Sequence, residues 1–158
     1  MRLRRRLATR RALGRLESAW PDGAPFSAPW LLRDRPEKTV LSVNSARGPA
    51  IAMFFDAAIS NTRASGVTFA HENLAEKLGA EAVPRVYHTD EDANLVVTER
   101  IEGDTLGAIL KQRSPGDFAR GVEQSGTWLR RLHDSVERPE KPFDARGYLR
   151  KTFHLPLQ

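Results

Sequence analysis

Val83–Leu110 reads VPRVYHTDEDANLVVTERIEGDTLGAIL. Its two ends are strand-like: Val83–His88 and Leu95–Thr98 are rich in β-branched and aromatic residues. Between them, Thr89–Asn94 is an acidic turn, because Asp and Asn bond their own backbone and tolerate turn conformations. Beyond the second strand, Glu102-Gly103 breaks the pattern and Asp104 can cap a helix carrying Leu106, Ile109 and Leu110. The stretch is therefore strand, turn, strand, linker, helix.

Upstream, Trp30-Leu31-Leu32 suggests a short strand and Asp34–Lys38 a polar turn. Thr39–Asn44 alternates in polarity, Ala46–Pro49 is a turn, and Ala50–Phe55 is a compact apolar run. Two β-rich runs across a short glycine-containing turn predict a hairpin. Asn61–Gly66 reads as a loop. Ala70, Leu74 and Leu78 then recur at helical spacing over Val67–Leu78, and Gly79 suits the left-handed residue after a helix end. Downstream, Asp117 is a possible cap. Phe118, Val122, Leu129, Leu132 and Val136 line one face of a long helix, with Trp128 beside it, and this stripe predicts core. The order of elements predicts an α+β fold with an antiparallel sheet.

The chain has 158 residues, enough for one domain with a modest core. It has no cysteine, which excludes disulfides and thiolate chemistry. No apolar run approaches the roughly 18 residues of a membrane span. The start, Met1–Arg6, lacks the apolar segment of a secretory signal, and a cytoplasmic protein is expected. Residues 1–20 hold seven arginines against Glu17, a net +6 where the whole chain is +5, so residues 21–158 sum to −1. The basicity belongs to one segment, read as a basic helix. Such a cluster can contact RNA, anionic lipid or a protein partner. At about 100° per residue, Leu3 and Leu7 fall on one side of it and Leu13, Leu16 and Trp20 on another, which disfavours a single membrane-facing stripe.

Leu95–Ile101, the step Glu102-Gly103-Asp104-Thr105-Leu106 and the helix end Leu132-His133-Asp134 together resemble aminoglycoside/choline phosphotransferases, a protein-kinase-like family. The resemblance covers roughly residues 30–135. After the basic helix at 1–20 and a Pro- and Gly-containing linker at 21–29, both read from the residues themselves, it implies a kinase-like N-lobe and hinge at 30–101 and the first helices of a C-lobe at 102–158. It also implies ATP and magnesium, with transfer of the γ-phosphate to a small-molecule hydroxyl. Met53 then stands where the phosphate-binding lysine belongs. Glu72 stands where that lysine's acidic partner belongs, and the backbone of Glu99, Arg100 and Ile101 would meet an adenine nucleotide.

Two departures shape the expectation. Ala50–Phe55 contains no lysine, and Lys38, which lies before the preceding strand, is not counted as its substitute. No H-G-D-x-x-x-x-N loop follows His133, so the chain is expected to be a truncated, inactive relative of such kinases. The near-match His88–Asn94 (H-x-D-x-x-x-N) precedes the hinge and is read as turn chemistry. Ser45–Gly48 has a single glycine and makes a poor phosphate cradle. His71, His133 and His154 share no metal-ligand spacing and are read as structural or exposed.

Overall fold

A computed structural model describes residues 2–103, 108 and 115–135. Helix α1 (Arg2–Ala19) leads through a 3₁₀ turn (Pro21–Gly23) into strands β1 (Ser27–Arg35), β2 (Lys38–Ser45) and β3 (Gly48–Phe55). Helix α2 (Ala64–Leu78) and a short 3₁₀ turn precede β4 (Val86–Asp90) and β5 (Leu95–Glu99), and α3 spans Pro115–Ser135. The five strands form one sheet of order β1-β2-β3-β5-β4, with every pair antiparallel. The fold is α+β with a five-stranded antiparallel sheet. Among the described residues no helix is long and apolar enough to cross a membrane.

The β2–β3 hairpin carries this sheet. All eight residues of each strand pair, from Lys38 with Phe55 to Ser45 with Gly48. Gly48 sits at φ +110, a conformation that a Cβ would strain. The period of two then sorts β3 between two faces. Ala50, Ala52 and Phe54 pack with Leu31, Leu41, Val43, Leu95 and Val97 against Ala12, Leu16 and Trp20 of α1 and its C-terminal flank. Phe55 and Val96, with half-buried Met53, pack against Ala64 and Val67 of α2 on the other face. Leu95, Val96 and Val97 are all fully buried because β5 is central and covered on both sides, which is why its sequence runs apolar without alternation.

Several boundaries differ from the sequence reading. The first strand is nine residues long and begins at Ser27, inside the segment expected to be linker. Pro29 and two register shifts hid it, and both are tolerated because β1 is an edge strand. Helix α2 starts at Ala64 rather than Val67, and Ala70 is exposed. Its inward face is Ala64, Val67, Thr68, His71, Leu74, Ala75 and Leu78. β4 is displaced toward the acidic turn, covering Val86–Asp90. Arg2–Ala19 form a helix that is docked on the sheet: Leu16 and the following Trp20 are 0% and 1% exposed.

The stripe on α3 is corrected more sharply. Phe118, Val122 and Leu129 are 45%, 46% and 46% exposed, so they are not core. The helix instead touches the body through its other flank. Trp128 donates its indole N–H to the carbonyl of Ala82 at 3.2 Å, and the Arg131 guanidinium bonds the carbonyl of Leu78. The helix expected to start at Asp104, together with Val136 and His154, lies outside the described residues.

Candidate nucleotide-binding face

The site is built from the sheet face that α2 shares. Cross-strand partners point to the same side of a sheet. Met53 pairs with Val40 on one side and Val96 on the other, and Ile51 pairs with Ser42 and Thr98. Lys38, two residues along β2 from Val40, pairs with Phe55. Lys38, Val40, Ser42, Ile51, Met53, Phe55, Val96 and Thr98 therefore line one face. At its β1 edge, Arg33 pairs with Val40.

Two cations mark the ends of this face. At the end where β5 leaves the sheet, Arg100 reaches back beneath β3, and its guanidinium donates to Ser42 Oγ at 3.0 Å. At the opposite end, Lys38 Nζ lies 4.9 Å from the centre of the Phe55 ring. Burial, and secondarily the neighbouring charge of Arg33, hold the Lys38 ammonium below the ordinary lysine range. A partly desolvated ammonium gives up fewer waters to an anion than a free one does. Lys38 is thus the residue that the sequence reading set aside. Position in the chain placed it before the hairpin, whereas the register places it on the Met53 face.

The residues expected to bind nucleotide are distributed as follows. Met53 is half-buried at the centre of the face and Glu72 is exposed on α2. Among the described residues neither of the two ion pairs involves Glu72. Glu99 is paired with Arg85 at 3.3 Å, and that hydrogen bond holds its carboxyl below the usual carboxylate range. The Glu99 N–H donates to Arg85 O at 2.8 Å and the Arg100 N–H to Pro49 O at 3.0 Å. These bonds carry the chain past the start of β3. Ile101 follows them at 62% exposure, and Gly103 takes φ +133.

A second polar centre organises the α2 end. Asn94, the last residue of the acidic turn, takes φ +46 and is buried. Its Oδ1 accepts the N–H of Ala64 at 2.7 Å, and its Nδ2 donates to Phe55 O at 3.1 Å and Thr62 O at 3.3 Å. One side chain thus ties the end of β3 and the entry loop to the first turn of α2. Arg63 precedes that helix without a side-chain cap, so Asn94 supplies from 30 residues away what a local Ser or Asp would supply. His88, in the same near-match, bonds backbone as well and is no metal ligand: no group of three or more His, Asp or Glu suited to a metal occurs among the described residues. The charge at the Lys38 end of the face is positive, from Lys38 and the neighbouring Arg33.

No protein-family model matches the chain, and no curated protein matches it. Among solved structures it is similar to a "putative fructosamine-3-kinase" of Thermobifida fusca YX-ER1, with 16% identity and a TM-score of 0.44. That similarity covers 59% of this chain and 32% of the other, so the chain spans about a third of its neighbour's length. The fold assignment rests on the strand order and register, and not on this likeness.

Proposed function

We propose that this chain is a nucleotide-binding lobe related to ATP-dependent small-molecule phosphotransferases. The supporting observation is the layout of the α2-side face. β5 exits beside β3 into a short linker, and an apolar floor of Val40, Ile51 and Met53 separates that exit from a partly desolvated cation, Lys38. An adenine base would lie over the floor near Ile101, whose neighbours Glu99 and Arg100 already spend their N–H groups on the sheet. The phosphates would lie toward Lys38 and Arg33. In this reading Lys38 takes over the charge that a lysine at Met53 would carry. The chain carries no H-G-D-x-x-x-x-N loop after His133, so it binds nucleotide without transferring phosphate on its own.

The test is a calorimetric titration of the whole chain with ATP and with adenosine. ATP should bind and adenosine should bind more weakly. Lys38→Ala should weaken ATP roughly tenfold, the order expected for one charge-assisted contact, and leave adenosine unchanged. Absence of binding by either ligand overturns the nucleotide reading. ATP binding that Lys38→Ala leaves intact keeps the lobe and removes the role of Lys38.

A further inference from the structure

The arginines of α1 are arranged against the interest of their own helix. Arg4, Arg5 and Arg6 occupy its first turns, where the exposed N–H groups and the helix dipole already concentrate positive charge, and no acid stands in the first turn. Among the described residues neither ion pair involves α1. This charge disfavours the helix, and within the chain it is met by Leu31 O and the Trp30 ring at Arg5 and by the Phe54 ring at Arg15.

A groove of about 600 Å³ runs between α1 and the edge strand β1, lined by Arg5, Arg6, Arg10, Leu13, Pro29 and Trp30 with Thr9. Among the described residues no acidic side chain lines it. Trp30 is 58% exposed, although it lies on a strand whose next residue, Leu31, is 5% exposed. The Arg5 guanidinium lies 4.4 Å over the Trp30 ring and donates to Leu31 O at 2.8 Å, so this cation is fixed in place on an aromatic platform. Arg6 and Arg10, one helical turn apart, add two more cations on the same wall.

We propose that this groove binds single-stranded nucleic acid, with a base on the Trp30 platform and successive phosphates on Arg6 and Arg10. An exposed ring serves stacking, which any base supplies, and a row of arginines serves a polyanion at fixed spacing. A lipid surface would also be served by the charge and the indole, so vesicles form the second arm of the test. The groove lies at the β1 edge of the sheet, between α1 and Trp30, and uses none of Lys38, Val40 or Met53.

The experiment titrates the full chain into a fluorescein-labelled 12-nucleotide oligouridylate and, separately, into vesicles of phosphatidylcholine and phosphatidylserine at 3:1. The oligonucleotide should bind with a logarithmic salt slope of roughly −1.4, the value for two phosphates on a single strand. The double variant Arg6→Glu/Arg10→Glu should weaken it more than tenfold. Trp30→Ala should weaken it roughly fivefold or more, and Trp30→Phe should restore most of that loss. Each variant's melting curve is recorded, and Arg120→Glu on α3 serves as the charge control, expected to have no effect. Three results would overturn the proposal: no binding of the oligonucleotide, equal affinities for Trp30→Ala and wild type, or vesicle binding abolished by the arginine variant while the oligonucleotide is ignored.

Discussion

His88 Nε2 lies 2.9 Å from the carbonyl oxygen of Ala19, and its ring is stacked on Trp20 at 5.8 Å with 12° between the planes. An edge strand thereby holds the C-terminal end of α1, where carbonyls lack helical partners. Trp20 is the pivot of this joint. It also meets Phe26 at 5.6 Å and Tyr87 at 6.3 Å, and Gly23 passes so close to its ring that a Cβ there would overlap it.

Trp20→Ala should therefore cost about 3–5 kcal/mol, the range for deleting a buried indole. His88→Ala should cost about 1 kcal/mol for the lost hydrogen bond, plus the stacking contact. Urea denaturation of both variants measures this. A Trp20→Ala loss below about 1 kcal/mol would mean that α1 is not docked as described.

Asn94→Ala should cost about 2–3 kcal/mol, because it leaves Phe55 O, Thr62 O and the Ala64 N–H without their partner. Asn94→Gly keeps the positive φ and should recover only a small part of the loss. Amide exchange should show the first turn of α2 opening in both variants. A variant Asn94→Gly as stable as wild type would show that the backbone conformation, and not the three bonds, sets the requirement.

These two residues show why part of the fold was legible in the sequence and part was not. The β2–β3 hairpin and β5 were readable because periodicity and turn chemistry are local. The start of α2 was not, since its cap comes from Asn94 in a turn between two later strands. Docking of α1 was obscured because Ala12, Leu16 and Trp20 are spaced by four among arginines, with Leu13 beside them. β1 was shortened by Pro29, whose missing N–H an edge strand tolerates. At the candidate site, the apolar run holding Met53 was evident, and Lys38 was not. It reaches that face through cross-strand register, which no single stretch of sequence displays.

Lys38 gives a pH-dependent test. Its folded-state value lies below the ordinary 10.5, first through burial and then through Arg33. Between the two values the unfolded chain holds more protons, so stability contributed at this site rises with pH across that window. Wild type should gain thermal stability relative to Lys38→Met as pH rises from neutral toward 10.5. A difference in Tm that stays constant over that range would contradict a desolvated ammonium.

The exposed stripe on α3 makes a simple contrast with the core. Val122→Ser and Leu129→Ser should each cost within about 0.5–1 kcal/mol, whereas Leu16→Ala should cost about 2–5 kcal/mol. Thermal melts decide it. Losses near 3 kcal/mol at Val122 or Leu129 would show that the stripe is covered in solution.

The most direct test of the nucleotide-binding account is an ATP titration of isotope-labelled whole chain followed by backbone amide NMR. The account expects shifts at Lys38, Val40, Met53 and Ile101, on one face of the sheet, with little change at Arg6, Arg10 and Trp30. An unperturbed spectrum at millimolar ATP, or shifts confined to α1 and Trp30, would contradict it.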